Sequence, residues 1–173
     1  RDEKLSTTNQ YIELISELRN TVYRLTLSIL GDSTEAEDIS QDIYERTWRA
    51  RDAILEQDNP RAYICRMAHN LAIDRLRQQQ RQRNISLDNV KTGISDGDKE
   101  SDNGDIAILT RKIISTLPEK QRLAIHMRDV EGYEIEEISQ ILEIDETSVR
   151  MNLSRARKSV RAQLIKTINY GVE

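Results

Sequence analysis

The residues with the most chemistry to offer lie between Tyr133 and Lys158, in the stretch YEIEEISQILEIDETSVRMNLSRARK. From Glu131 to Glu146 every charged residue is acidic: Glu131, Glu134, Glu136, Glu137, Glu143, Asp145 and Glu146. From Thr147 to Lys166 every charged residue is basic: Arg150, Arg155, Arg157, Lys158, Arg161 and Lys166. A solvated helix surface normally mixes signs, so an all-basic segment behind an all-acidic one points to an anionic partner. Guanidinium suits such a partner, because it pairs bidentately with guanine in the major groove and also holds phosphates. An ordinary helical hairpin with a basic face is the competing reading.

The elements that must position these groups follow from spacing. Ile135, Ile138 and Leu142 recur as on one face of a short helix, and Glu134, Glu136 and Glu137 sit where carboxylates favour the positive end of its dipole. A break is expected at Glu143-Ile144-Asp145, with Asp145 capping the next helix. That helix turns Val149, Leu153 and Ala156 inward and leaves Arg150, Ser154, Arg155, Arg157 and Lys158 elsewhere. Two short helices, a tight turn and a basic second helix make a helix-turn-helix. Its support is expected from Ile106, Leu109, Ile113 and Ile114, and then from Leu123, Ala124, Met127 and Val130. Pro118 would stand in the first turn of the second of these helices, and Gly132 would end it. His126 reads as a packing residue.

The first half of the chain repeats the contrast of charges. Tyr11, Leu14, Ile15, Leu18, Val22, Leu25 and Ile29 form one stripe of a helix over residues 5–30, which Gly31 would stop. Asp32, Ser33 and Thr34 offer capping side chains, and Thr34 with Glu37 fits a capping box for the following helix. There Ala36, Ile39, Ile43 and Thr47 can face a core, while Glu35, Asp38, Gln41, Asp42 and Glu45 make an acidic face with Trp48 near its far end. Three readings of that face stand side by side: solvated surface, convergent carboxylates for a metal, and a dock for a basic protein. Residues 52–59 break the pattern with Asp52, Asp58 and Asn59, and Pro60 opens another helix, with Ile64, Met67, Ala68 and Leu71 as its apolar stripe. Its charges are Arg61, Arg66, Arg75, Arg77, Arg81 and Arg83 against Asp74. Together with Tyr63 and Asn70 they combine stacking, hydrogen-bonding and phosphate-binding groups, the set used on unstacked single strands. His69 reads as a surface or packing residue.

Composition bounds the rest. Only 2 Pro, 6 Gly and 0 Phe in 173 residues favour helix, and no hairpin signal occurs. The fold class is all-α: two small helical domains, 1–83 and 106–173, joined by a flexible acidic linker over 84–105 that is too poor in apolar residues to order itself. No apolar run approaches membrane-spanning length and no leader pattern opens the sequence. Cys65 is the 1 cysteine, which excludes an internal disulfide and fits a reducing cytosol. The formal net charge of -4 hides a strong segregation of sign.

EAEDISQDIYERTW, NPRAYICRMAHNLAIDRLR and LPEKQRLAIHMRDVEGYEIEEISQILEIDETSVRMNLSRARK, in this order and across an acidic linker, resemble the extracytoplasmic-function class of bacterial RNA polymerase sigma factors. The resemblance implies a non-catalytic cytoplasmic subunit that binds core RNA polymerase and directs promoter recognition and melting. Asp38, Gln41, Asp42, Glu45 and Trp48 would then contact the clamp helices of the largest polymerase subunit. Ala53, Ile54 and Asn70 would form a pocket for a flipped base of the −10 element, with Arg61, Arg66, Arg75 and Arg77 following phosphates. Arg150, Met151, Ser154 and Arg155 would approach base edges of the −35 element, and Tyr133, Thr147, Ser148, Arg157 and Lys158 would hold its phosphates. The linker would thread through the polymerase near the RNA path. An anti-sigma factor is the further partner implied. Glu143 stands where the family's turn usually has Gly, and a left-handed backbone there would cost roughly 1 kcal/mol. Cys65 stands where the family often has an aromatic residue.

Two other functions compete. A stand-alone helix-turn-helix regulator would use residues 1–83 as a sensor or dimerisation domain and bind duplex operator without polymerase. A metal-dependent phosphohydrolase would be built on Glu35, Asp38 and Asp42. Against the latter, the sequence shows no nucleophile–base pair, no phosphate-cradling glycine loop and no His/Cys cluster. The expectation is therefore no catalysis, no cofactor, no metal, no small-molecule substrate and no membrane insertion.

Overall fold

The structure, a computed structural model, describes residues 2–85 and 104–170. Every secondary-structure element among them is helical, and they form two compact units, one built by the first four helices and one by the five helical elements that follow. Most of the expected linker, 84–105, lies outside the described residues.

In the first unit α1 (Asp2–Leu30) is the central element, packing on α2 (Ser33–Arg49), α3 (Arg51–Leu55) and α4 (Pro60–Ile85). It buries Tyr11, Leu18, Val22, Leu25 and Ile29, the stripe its spacing predicts, with Leu14 and Ile15 half-buried at the margin. Gly31 ends it at φ +68, a left-handed conformation that costs glycine nothing, and its N–H closes on the Leu27 carbonyl at 2.8 Å. The cap of α2 is Asp32, one of the three capping residues offered, and not the Thr34 of the expected capping box. Its backbone is extended, and its carboxylate accepts from the Glu35 N–H at 2.9 Å, so the helix begins before Thr34 is reached.

Ala36, Ile39, Ile43 and Thr47 are buried as expected, and Ser40 joins them by donating its hydroxyl to the Ala36 carbonyl at 2.7 Å. Thr47 and Tyr11 share a buried hydroxyl contact of 2.7 Å that ties α2 to α1. Burial raises the Tyr11 phenol above its ordinary value, so it stays neutral and able to donate. Asn59 starts α4 by accepting the Ala62 N–H at 3.0 Å. The buried face of α4 carries Ala62, Ile64, Cys65, Ala68, Ala72 and Ile73. Met67 and Leu71, expected in that stripe, are only half-buried. Small residues line it because α4 lies against both α1 and α2.

In the second unit α8 (Glu146–Tyr170) is the hub for α5 (Gly104–Ser115), α6 (Glu119–Ile125) and α7 (Ile135–Leu142). Ile113, Leu117, Leu123, Ala124, Met127, Ile138, Ile141, Val149, Leu153 and Ala156 make its core. Ile106 and Val130, read as packing residues, are 63% and 59% exposed, since each stands at an end of its element where the periodicity outlasts the partner surface. Pro118 sits just outside α6 as its cap rather than in its first turn.

Candidate nucleic-acid interface

α7 and α8 form the helix-turn-helix that the spacing predicts. The Glu137 carboxylate reaches back to the Glu134 N–H at 3.1 Å and fixes the start of α7. Ile138 and Ile141 are its buried residues, so the stripe runs one position away from the expected Leu142. The turn passes through Glu143 at φ 54, ψ 42, the left-handed conformation that a glycine would adopt freely. Around it, Ser139 donates its hydroxyl to the Ile144 carbonyl at 2.6 Å. Asp145 then caps α8, accepting the Ser148 N–H at 2.6 Å and the Ser148 hydroxyl at 3.1 Å. The Ser148 N–H, and then its hydroxyl, hold the Asp145 carboxyl below its ordinary value of 3.8.

The outer face of α8 presents Thr147, Arg150, Met151, Ser154, Arg155, Arg157 and Lys158, all exposed, opposite buried Val149, Leu153 and Ala156. Arg150 pairs with Glu146 at 2.9 Å. Arg157 pairs with Asp129 through two bonds, Nε at 2.9 Å and Nη2 at 2.6 Å, and that contact raises the guanidinium above its ordinary value. Arg128, Ile135, Arg150, Leu153, Ser154 and Arg157 line a cavity of about 460 Å³. Tyr133, expected to hold a phosphate, is 1% exposed, with its ring in the core. Beside it lies the half-buried Arg128, with Nη1 donating to the Tyr133 carbonyl at 2.7 Å and to Glu134 at 3.0 Å. Sequence reasoning missed Arg128 and Asp129, which precede the acidic run and carry no spacing signal.

The first unit carries the other two candidate surfaces. On α2, Asp38, Gln41, Glu45 and Trp48 are exposed and Asp42 half-exposed, spaced by three and four residues along one side. Asp42 pairs with Arg46 at 2.9 Å. The Trp48 ring meets Tyr11 edge-on at 5.5 Å, with the Arg51 guanidinium 4.7 Å from its centroid. Glu35, at the start of the same helix, pairs with Arg75 of α4, so Arg75 braces α2 against α4. Ala53, Arg61, Asn70 and Arg77 are exposed, and Arg66 is half-exposed over the Tyr63 ring at 5.5 Å. Asn70 Oδ1 lies 3.0 Å from His69 Nδ1. Ile54, expected in a base pocket, is 2% exposed and belongs to the core. Cys65 is likewise closed into the core. Among the described residues no group of three His, Cys, Asp or Glu is placed to hold a metal ion, and no helix is long and apolar enough to cross a membrane.

Comparison with known proteins bears on the same two units. Residues 14–82 match the family model of sigma-70 region 2, and residues 108–160 that of sigma-70 region 4. The chain is 25% identical over 169 residues to the ECF RNA polymerase sigma factor SigW of Bacillus subtilis, covering 89% of this chain and 88% of that protein. It is 26% identical over 161 residues to the ECF sigma factor SigE of Mycolicibacterium smegmatis, covering 89% of this chain but only 61% of that one. The fold is shared with the sigma factor RpoE of Bartonella quintana, solved in complex with the anti-sigma factor NepR, at a TM-score of 0.72 and 20% identity over 91% of this chain and 97% of that one. With both sigma-70 regions present, in order and one in each unit, the chain belongs to the extracytoplasmic-function RNA polymerase sigma factors, non-catalytic subunits that direct the polymerase to promoters and initiate transcription.

Proposed function

We propose that this sigma factor divides promoter recognition among three surfaces. The acidic side of α2, with Asp38, Gln41, Asp42, Glu45 and Trp48, docks on the clamp helices of the largest polymerase subunit. Ala53, Arg61, Arg66, Asn70 and Arg77, on α3 and α4, meet the −10 element as its strands part, where unstacking costs a few kcal/mol per base that pocket contacts offset. The outer face of α8 reads the −35 element as duplex, Arg150, Met151, Ser154 and Arg155 at base edges and Thr147, Arg157 and Lys158 on phosphates.

The observation that carries this reading is the sorting of residues around α8: every buried residue of its first turns is apolar, and every arginine is outside. A sigma factor of this kind works in the cytoplasm, where polymerase and promoter meet. RpoE of Bartonella quintana was solved with the anti-sigma factor NepR, and CnrH with the cytosolic domain of CnrY. A partner of this kind would silence the present chain by covering the α2 face.

The test is capture of bacterial core RNA polymerase by wild type and by Asp38→Arg/Asp42→Arg. The reversal should abolish capture while the melting temperature stays close to wild type. Both side chains lie at the surface, and the new like-charge repulsion between position 42 and Arg46 costs only about 0.5 kcal/mol. Equal capture by both proteins would remove α2 from the polymerase interface.

A further inference from the structure

Between α6 and α7 the chain makes a π-helical turn, His126–Val130, closed by the Glu131 N–H on the His126 carbonyl at 3.0 Å. Such a turn holds one residue more than an α-helical one and re-aims the side chains it carries, which is why π turns recur at functional sites. Here it sends two adjacent side chains to the two helices of the binding motif. Arg128 reaches the start of α7 through the Tyr133 carbonyl and Glu134. Asp129 reaches α8, where it accepts the two parallel bonds from Arg157.

The Asp129–Arg157 pair is open to water, with side-chain exposures of 37% and 54%. Exposed pairs contribute little to stability, so holding the fold together is not what distinguishes it. Its geometry is more telling. A guanidinium fork grips a carboxylate and a phosphate with the same parallel N–H groups, and Asp129 occupies the fork that a DNA phosphate would need.

We propose that Asp129 is a positioning and specificity residue of the DNA-binding face: it keeps the Arg157 fork occupied until a correctly registered duplex presents a phosphate that displaces it. This rests on the reading of Arg157 as a phosphate contact. Sequence-independent affinity comes from counterions released when cations neutralise phosphates. An arginine already neutralised by a carboxylate releases none until its pair opens. Asp129 therefore lowers affinity for arbitrary duplex while leaving the base contacts of Arg150 and Arg155 in place.

The experiment measures how affinity of the full chain for a short duplex of mixed sequence depends on salt. Asp129→Asn should steepen the slope of log affinity against log salt by roughly 0.9, the worth of one phosphate contact, and tighten binding at low salt. Asp129→Glu, which keeps a carboxylate, should retain the wild-type slope. In an Arg157→Ala background Asp129→Asn should add nothing. Asp129→Ala, which likewise empties the Arg157 fork, should steepen the slope as Asp129→Asn does, so the outcome does not hang on one substitution.

A parallel measurement uses a duplex that the chain, with core polymerase, selects from a random pool. There Arg157→Ala should flatten the slope by roughly 0.9. No flattening would overturn the phosphate role of Arg157 itself. Flattening there, combined with wild-type slopes for Asp129→Asn and Asp129→Ala on mixed duplex, would overturn the role of Asp129 alone.

Discussion

Truncating Trp48 to alanine separates two roles that its position combines. The ring is 44% exposed, enough to be gripped by a partner, yet it is held by two intramolecular contacts. Its edge-on packing against Tyr11 at 5.5 Å contributes about 0.5–1.5 kcal/mol. The Arg51 guanidinium 4.7 Å from its centroid adds about 0.5–1 kcal/mol at an exposed site. The Arg51 bond to the Trp48 carbonyl, 2.9 Å, involves the main chain and survives the substitution. Trp48→Ala should therefore destabilise the first unit by about 1–2.5 kcal/mol, a drop of roughly 5–15 °C in melting temperature for a domain of this size. Trp48→Phe keeps the edge contact and should lose about half as much.

A domain with several kcal/mol of stability remains folded at 25 °C after such a loss, so polymerase affinity can be read separately. As an interface anchor, truncated Trp48 should cost about 2 kcal/mol or more of binding, about a thirtyfold rise in Kd. The assay pairs far-UV circular dichroism melts of each variant with titration of core polymerase. A lowered melting temperature with affinity within twofold of wild type would confine Trp48 to bracing α1 and α2. An unchanged melting temperature would refute the energies assigned to its ring contacts.

Two further outcomes concern the second unit. Arg150→Ala and Arg155→Ala should each lose about 1–3 kcal/mol of discrimination between the selected −35 duplex and its single-base variants; competition binding with unchanged base preference in both would remove them from the reading face. Asp145 gives a pH dependence of fixed sign. Its folded carboxyl titrates below its ordinary value of 3.8, so its cap is fully in force above that value and is lost as pH falls through the lower, folded one. Asp145→Ala should lower the melting temperature at neutral pH, and the gap from wild type should close in strong acid. A gap that is constant with pH would sink the capping account.

Much of the fold was legible because local rules and burial agreed. Gly31 ends α1 in a left-handed conformation, Asp145 caps α8 through Ser148, and Val149, Leu153 and Ala156 face inward, all as spacing predicts. Misreadings gathered where the pattern does not say whether a partner is present. Tyr133 has both an apolar ring and a polar tip, and only the surrounding helices decide that the ring is buried. Ile106 and Val130 continue a stripe past the surface that could cover them. The narrow face of α4, with Ala62, Cys65, Ala68 and Ala72, reflects helices packed close to it and was invisible to a search for large apolar residues.

The sequence by itself determined the long helices, the stop at Gly31 and the cap at Asp145, the segregation of acidic from basic faces, and the order of two sigma-70 regions, but neither the short α3 nor the π turn. What it determined are properties of neighbours a few residues apart, where helix periodicity and capping chemistry act. Tertiary structure alone decided which charges are paired across distance. Arg75 meets Glu35 from 40 residues away and Arg157 meets Asp129 from 28. No local period encodes such meetings, because they depend on helices packed by their apolar faces and on a π turn that re-aims a single carboxylate. The sequence supplies the arginines of the binding face; the fold decides which of them meet a carboxylate before any DNA arrives.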